Sequence, residues 1–238
     1  MTTKAKLKLG FTLAEVLITL GIIGVISAMT LPTLFSKISK SQFEARTKVA
    51  YSLIYQTMQL ANADDNTSGT TILDFNDSNI KEWFSKFIQP HLKVIETCFN
   101  TFACWHEKGE VKDLNGNKAL YSDNAGMGLN TLSFTTAKGI SFSIDGWGTP
   151  SSLNSIFGIN TTQESLVVYF DVNGKNKPNK IGKDIYVAVY IPERGLLAAG
   201  ADKTPAEVEQ NCLKGNGYWC LSYIKRNNWK IPDEVWKR

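Results

Sequence analysis

The sequence predicts an α+β fold, with one long N-terminal helix packed on an antiparallel β-sheet. Three observations support this fold class. Residues 11–35 form an apolar run with one charge, residues 36–63 repeat apolar side chains at helical spacing, and short β-type runs follow residue 130. Helical and strand segments that are separated along the chain in this way are typical of α+β domains. The 238 residues, 43% of them hydrophobic, are enough for one membrane segment and one globular domain.

The first element is an apolar segment long enough to cross a membrane. As a helix, residues 11–35 would extend roughly 37 Å, which exceeds the roughly 30 Å of a bilayer core. The preceding leader carries Lys4, Lys6 and Lys8, and basic residues favour the cytoplasmic side. These lysines supply most of the net charge of +4, so the charge gives no reason to predict nucleic-acid binding.

Three interpretations of this segment compete. A secretory signal peptide has a shorter apolar region that ends in a small-residue cleavage site, and Ile26-Ser27-Ala28 matches such a site poorly. A plain signal anchor fits the length and the lysines, but it leaves Glu15 unexplained, because a carboxylate in hydrocarbon is costly. The third interpretation places cleavage after Gly10 and leaves the apolar segment on the mature chain. A simpler role for Glu15 is that of an interfacial side chain that reaches the headgroups.

The helix is predicted to continue through residues 36–63 with an amphipathic pattern. Apolar residues recur there at three-, four- and seven-residue spacing, namely Ile38, Ala45, Val49, Leu53 and Leu60. The helix therefore has an apolar first half and an amphipathic second half, which requires a surface to pack on.

Pro32 lacks a backbone N–H; it either marks the end of the membrane helix or lies in a stretch that loses helicity.

The remaining elements are predicted from shorter patterns. An aromatic stripe indicates a helix at 79–89, which Pro90 ends, and Thr204-Pro205-Ala206-Glu207 has the form of a capped helix start. Ala137-Lys138 offers a hairpin connection between the first two of four β-type runs. These runs are Leu132–Thr136, Gly139–Ile144, Leu166–Phe170 and Ile185–Ile191.

The four cysteines are predicted to form disulfides. An even number of cysteines after a membrane-crossing segment is typical of an oxidising compartment. Of the three possible pairings, the two local ones, Cys98–Cys104 and Cys212–Cys220, are favoured. Free buried thiols and a zinc site are the alternatives, and neither pair has the close spacing of structural zinc ligands.

The loop between the last two predicted strands has two interpretations. Asp171, Asn173 and Asp184 could supply oxygens to a calcium ion, together with main-chain carbonyls. The loop also contains four lysines and the turn dipeptides Asn173-Gly174 and Pro178-Asn179. The turn interpretation is preferred, and calcium is the only cofactor that the sequence suggests.

Residues 9–24, LGFTLAEVLITLGIIG, closely resemble the signal of type IV prepilins and type II secretion pseudopilins. The resemblance implies cleavage between Gly10 and Phe11 by a prepilin peptidase, which usually also methylates the new terminus. It implies that Glu15 pairs with the N-terminal amine of a neighbouring subunit during assembly. Gly24 and Pro32 match the positions that weaken the family's helix. Ala14 departs from the pattern, since a larger aliphatic residue is common there.

The resemblance also implies a domain organisation and a cellular location. Residues 1–10 are expected to be a removable leader, residues 11–35 a transmembrane helix, and residues 36–238 a pilin-like globular domain that includes the second half of the long helix. The mature protein is expected to cross the bacterial inner membrane once, with its globular domain outside the cytoplasm, and to enter a filament. Its expected partners are the prepilin peptidase, other pilin or pseudopilin subunits, the inner-membrane assembly platform and the membrane itself.

The function implied by the resemblance is mechanical. The preferred assignment is a pseudopilin of a type II secretion system. The alternatives are a minor pilin for adhesion, motility or DNA uptake, and an anchored binder of calcium or glycans that does not polymerise. Exposed tryptophans in the C-terminal segment around Trp219 and Trp229 would serve the glycan alternative, although a closing segment of the core is preferred. No enzymatic activity is expected, because the chain has two histidines and lacks HExxH, GxSxG and phosphate-loop motifs.

Overall fold

The computed structural model has a long N-terminal helix and a six-stranded antiparallel sheet, which is an α+β fold. It describes residues 12–65, 72–76, 78–101, 103–119, 131–163 and 165–238. The helices are α1 (Leu13–Asp65), α2 (Ile80–Phe87), α3 (Pro150–Ser155), α4 (Pro205–Lys214), α5 (Cys220–Arg226) and α6 (Asp233–Lys237). The strands are β1 (Val94–Phe99), β2 (Thr131–Thr136), β3 (Ser141–Gly148), β4 (Ser165–Asp171), β5 (Ile185–Ile191) and β6 (Gly195–Ala198).

The chain divides into two compact units, with the boundary between Gln42 and Phe43. In the first unit, α1 is long and apolar enough to cross a membrane by length and composition. Its apolar side chains are exposed, from Leu13 at 81% to Phe35 at 63%. Pro32 lies within α1 and does not end it, so the helix itself continues beyond the predicted membrane segment.

The second unit is built around a sheet whose strands follow one another in sequence order. Each strand pairs antiparallel with the next, from β1 at one edge to β6 at the other. The predicted hairpin lies between β2 and β3, where Thr136 and Ile140 close the turn through a hydrogen bond. Strands β4 and β5, neither of which is an edge strand, are buried at every position, so both faces of the sheet are covered there. All four predicted strands are present.

One face of the sheet is covered by the part of α1 that follows Phe43. The apolar side chains that are fully buried there include Ala50, Ile54, Met58 and Ala61, each 0% exposed. This is a different stripe from the predicted one, since Val49 and Leu60 are 38% and 50% exposed. The two stripes are offset by one residue, or about 100° around the helix, and both are apolar. The sequence pattern therefore predicted the helix correctly, but it predicted the neighbouring face as the buried one.

Hydrogen bonds join this part of α1 to the sheet and its turns. The Tyr51 hydroxyl donates to the carbonyl oxygen of Leu196, at 2.8 Å. The Arg46 guanidinium donates to the carbonyl oxygens of Val172 and Gly139, the latter at 2.9 Å. Gly139 and Val172 lie at turns and Leu196 lies in the edge strand β6, so these bonds satisfy main-chain acceptors at the ends and the edge of the strand ladder.

The short helices complete the second unit. The predicted helix at 79–89 is α2, with its aromatic stripe buried, and the predicted helix start at Thr204 is the capped N-terminus of α4. Glu207 N–H donates to the Thr204 hydroxyl, and Thr204 N–H donates to the Glu207 carboxylate. Strands β1 and β6 and helices α3, α5 and α6 were not predicted from sequence.

The C-terminal segment closes the core. The Trp219 indole N–H donates to the carbonyl oxygen of Ile156, at 2.8 Å, and Trp229 packs on the Tyr51 ring. Glu44 on α1 accepts from the Lys230 ammonium at 2.8 Å and from the Ile231 N–H at 3.1 Å. Both tryptophans are half-buried. This segment therefore supports the closing role and offers little for a glycan to stack on.

Candidate functional site

The first candidate site is the start of α1. Gly10 and Phe11 lie outside the described residues. Glu15 is exposed in the first helical turn, where its carboxylate accepts from the Thr12 N–H at 2.9 Å and from the Thr12 hydroxyl at 2.8 Å. Glu15 N–H donates back to the Thr12 hydroxyl at 3.3 Å. This is a capping box, and the sequence signal for it is Thr-x-x-Glu at 12–15.

The capping box fixes the position of the Glu15 carboxylate. A negative charge at the N-terminus of a helix complements the helix dipole, and the Thr12 hydrogen bonds restrict the side chain to that end. The acid is therefore held by Thr12 at the first turn of the helix and is still exposed. It can both cap its own helix and meet a cation from another molecule.

The two predicted positions of helix weakness lie inside the continuous helix α1. A Cβ added at Gly24 would meet nothing within 4 Å, so no contact in the structure requires a glycine there. Pro32 is accommodated without a break in the helix. A change of helicity at either position during assembly stays a prediction.

Both cysteine pairs form disulfides in the structure. The bonds are Cys98–Cys104 and Cys212–Cys220, the pairing that was favoured from the sequence. The first bond closes a short loop after β1, and the buried residues Trp105 and His106 follow it directly. The second joins α4 to the start of α5.

The second candidate site is a buried cluster at the loop between β4 and β5. Nε2 of His106 lies 2.8 Å from Oδ2 of Asp171, and the two side chains are 1% and 0% exposed. Asp184, also fully buried, lies at the other end of the loop, where its main-chain oxygen accepts from the Val172 N–H. Sequence reasoning missed His106, because it is 65 residues away from Asp171 and no spacing pattern links the two.

Burial favours the uncharged forms of the three groups. It raises the pKa of Asp171 well above the ordinary value of an aspartate. It also raises the pKa of Asp184 to about 7, and repulsion from Asp171 adds to that rise. Burial lowers the pKa of His106, against the attraction of Asp184 and Glu110. A proton is therefore held on the carboxylates at a pH at which exposed aspartates have lost theirs.

The loop oxygens are largely satisfied by the protein itself. Oδ1 of Asp171 accepts from the Asn173 N–H at 2.9 Å, and Oδ2 faces His106. The two oxygens of Asp184 accept from the N–H groups of Asn179 and Lys180, at 2.8 and 2.6 Å. Among the described residues, Oδ1 of Asn173 and Oδ1 of Asn179 are buried without a hydrogen-bond partner.

This donor set does not fit a calcium cage. Calcium takes six to eight oxygen ligands, whereas here all four carboxylate oxygens already have N–H or imidazole partners. In the described part of the chain, no three His, Cys, Asp or Glu side chains are grouped to hold a metal ion. Asp171 and Asp184 lie near each other at the ends of the loop, but the Asn173 amide donates its N–H to the Lys177 carbonyl oxygen. The geometry favours the turn interpretation of this loop.

We therefore expect calcium to leave the stability of the protein unchanged. Adding millimolar calcium, or a chelator, to the detergent-solubilised protein should shift its melting temperature by less than about 1 °C, because no unsatisfied carboxylate is available. Thermal unfolding followed by circular dichroism measures this shift, with magnesium as the control ion. A rise of several degrees with calcium alone would show that the two buried amide oxygens bind a cation.

Comparison of the chain with protein families, characterised proteins and solved structures finds no match.

Proposed function

We propose that this chain is a pilin-like filament subunit, specifically a pseudopilin of a type II secretion system. In this proposal a prepilin peptidase removes residues 1–10, and the mature protein waits in the inner membrane. It is then drawn into a short filament, with the apolar helices inside and the globular domains outside. The subunit acts mechanically, and catalysis belongs to the peptidase and the assembly machinery.

The observation that carries the proposal is the junction at Gly10, Phe11 and Glu15. A basic leader, a Gly-aromatic boundary, an acid four residues later and an uninterrupted apolar run occur together. Each of these features is common alone, but their combination at this spacing closely resembles the prepilin signal. The junction also explains an otherwise costly carboxylate, because cleavage creates an amine beside it.

The first unit supports an anchored and assembling helix. The apolar side chains of α1 before Phe43 are exposed, so they require either lipid or other helices as partners. Glu15 is held by Thr12 at the end of this apolar surface, which is where the new amine of Phe11 would be created. Two opposite charges in a low dielectric stabilise each other, whereas either one alone is strongly unfavourable. A subunit in the wrong axial register would leave both charges unpaired.

The second unit supports a location outside the cytoplasm. Its two disulfides form readily in the periplasm or beyond, and they are rare in the reducing cytosol. The leader lysines favour a cytoplasmic location for the N-terminus, on the other side of the membrane from the second unit. The sheet, the helix segment that covers it and the two disulfides form a compact domain. In the proposed filament, this domain lies on the outer surface.

The direct test of the proposal is mass spectrometry of the mature N-terminus. When the chain is expressed with a prepilin peptidase, we expect it to lose residues 1–10 and to begin at a methylated Phe11. Replacing Gly10 with leucine should leave the leader attached, because a bulky side chain would occupy the site of cleavage.

Gly21→Ala is the matched control for this experiment. Gly21 lies within α1, and a Cβ added there meets nothing within 4 Å, so this variant should be processed normally. An intact leader in the wild-type protein, or cleavage after Ala28, would contradict the proposal.

A further inference from the structure

The two disulfides differ in how exposed they are. Cys98 lies in the edge strand β1 and is half-buried, and the loop that follows it is exposed at Thr101. Cys212 and Cys220 are both 0% exposed and belong to the apolar core. Thiol–disulfide exchange requires the attacking thiolate to reach a sulfur atom, so exposure decides which bond reacts. A reductant in solution is therefore expected to attack the Cys98–Cys104 bond first.

The Cys98–Cys104 bond restrains the segment that carries His106. The two cysteines are six positions apart, and Trp105 and His106 directly follow the second of them. Between β1 and β2, the described residues form no helix or strand, and they are joined to other segments by isolated bridges and single hydrogen bonds. The disulfide therefore ties the start of an irregular segment to the edge of the sheet.

His106 makes a buried polar contact at the start of this segment. Its Nε2 lies 2.8 Å from Oδ2 of Asp171, and the two side chains are 1% and 0% exposed. Just before it, the Ala103 carbonyl oxygen accepts a hydrogen bond from the Lys175 ammonium, which joins the disulfide loop to the loop after β4. One covalent bond and one hydrogen bond thus hold the chain beside Asp171.

Breaking the Cys98–Cys104 bond would loosen this segment locally. A disulfide stabilises largely by restricting the freedom of the opened chain, so its loss raises the population of opened states. Segments without regular structure open at a lower free energy than core strands do. Strands β4 and β5 are buried at every position and contain neither cysteine. Opening is therefore expected to be confined to the segment after β1 and to leave the sheet folded.

We propose that the Cys98–Cys104 bond is a redox site that a dithiol opens in the folded protein, and that opening it releases His106 from Asp171. A thiolate of the dithiol attacks the Cys98 sulfur, the bond between the two cysteine sulfurs breaks, and Cys104 leaves as a thiolate that takes up a proton. The second thiol of the reductant then attacks the mixed disulfide and frees Cys98. Two electrons and two protons pass to the cysteines, and the dithiol is oxidised to a disulfide.

The competing explanation is that this bond is a staple without a separate opened state. Reduction would then either leave His106 buried or unfold the whole domain, so the accessibility of His106 separates the two explanations. The chain has two histidines, and the other, His91, is half-buried after α2 and serves as an internal reference. The inference does not rest on the proposed function, because it uses neither the leader nor α1.

The test treats the detergent-solubilised full chain with dithiothreitol, alkylates the free thiols and identifies the labelled cysteines by mass spectrometry. We expect Cys98 and Cys104 to be labelled at least about tenfold faster than Cys212 and Cys220, because reaction of the buried pair requires wider unfolding. An unlabelled Cys212–Cys220 bond thus also reports that the domain is still folded.

The accessibility of His106 is measured on the alkylated samples with diethyl pyrocarbonate, which modifies exposed imidazole. We expect its modification to rise at least about fivefold on reduction, while that of His91 stays nearly constant. The variant Cys98→Ser, Cys104→Ser should show the high modification of His106 without dithiothreitol and no further rise with it. A retained cooperative thermal transition would establish that this variant is folded.

Three results would overturn the proposal. The first is labelling of all four cysteines at one rate, and the second is a Cys98–Cys104 bond that resists dithiothreitol until the domain unfolds. The third is labelling of Cys98 and Cys104 with His106 as unreactive as before, because the bond would then not control the contact with Asp171. The comparison of oxidised and reduced wild-type protein does not require the variant to fold.

Discussion

Replacing Glu15 with glutamine is expected to leave a protein that is processed and membrane-bound but no longer enters filaments. The proposed partner of this carboxylate is the amine that cleavage creates on Phe11 of another subunit. Removing one member of a pair in low dielectric leaves the other charge uncompensated, which is strongly unfavourable. Incorporation should therefore fall by more than about tenfold. Quantitative immunoblotting of sheared filaments, normalised to the membrane-bound pool, measures the effect.

Thr12→Ala is the informative control for that variant. Thr12 donates to the Glu15 carboxylate and accepts from its N–H, so alanine removes the capping box but keeps the acid. Loss of a helix cap costs about 1 kcal/mol, and a helix inserted in a membrane tolerates that loss. Filament yield from Thr12→Ala should stay close to that of the wild type. If both variants lost filaments equally, Glu15 would act as a cap and not as the partner of an amine.

The second large effect is expected in the pH dependence of stability. Asp184 has its pKa raised from 3.8 to about 7 by burial and by Asp171. At a pH between 3.8 and about 7, Asp184 keeps its proton in the folded protein, whereas the same carboxyl has released it in the unfolded chain. The stabilisation from this proton is fully present below about pH 4 and is lost as the pH rises to about 7. At 1.36 kcal/mol per pKa unit, the upper bound is about 4 kcal/mol.

The contribution of Asp184 is isolated by comparison with Asp184→Asn. Urea unfolding at a series of pH values gives the stability of both proteins. Because the Asp184 charge raises the pKa of His106, the change in that titration is part of the measured difference. The difference, wild type minus variant, should decrease from pH 4 to pH 8. The lost main-chain hydrogen bonds add an offset to this difference that does not depend on pH.

A control of opposite sign is available at Asp202. The Arg194 guanidinium holds the pKa of this partly exposed carboxylate below its usual range, through hydrogen bonds at 2.9 and 2.5 Å. Asp202 therefore stabilises the protein above its unfolded pKa and loses that effect as the pH falls. For Asp202→Asn, the difference from the wild type should increase with pH. A flat curve for Asp184→Asn would show that the buried loop ionises like an exposed one.

The fold was predictable where one local pattern dominated. The apolar run of β5, Ile185–Ile191, is buried on both faces, and it was found with its observed bounds. Strand β1 was missed because it is an edge strand, with Ile95 66% exposed and Glu96 beside it, so its residues show no buried alternation. Strand β6 has four residues, and that length carries too little periodicity to detect. Both strands form because they pair with a neighbouring strand, and their own sequences carry no clear strand pattern.

The candidate sites also differ in how far the sequence predicts them, because some depend on local patterns and others on tertiary contacts. Asp171 and Asp184 were candidate ligands of one calcium loop between two predicted strands. The structure places them near each other because those strands pair, with Asp171 opposite Ile185. His106 could not be placed, since its contact depends on a disulfide-closed loop after a strand that was itself missed. Contacts of this kind depend on tertiary structure, which short-range patterns do not encode.

The sequence-order pairing of the strands has a kinetic consequence. In a meander, each strand joins the one made just before it, so the chain separation that each pairing closes stays modest and its entropy cost is limited. The hydrogen bond from Ile231 to Glu44 is different, because it joins residues 187 positions apart. Because closing so long a loop costs more entropy, we expect this contact to form after the intervening sheet has brought its ends together. A chain that stopped short of Lys230 would keep the sequence of every strand, but it would lose the buried Ile231 and Val235 and leave the Glu44 carboxylate without its two partners.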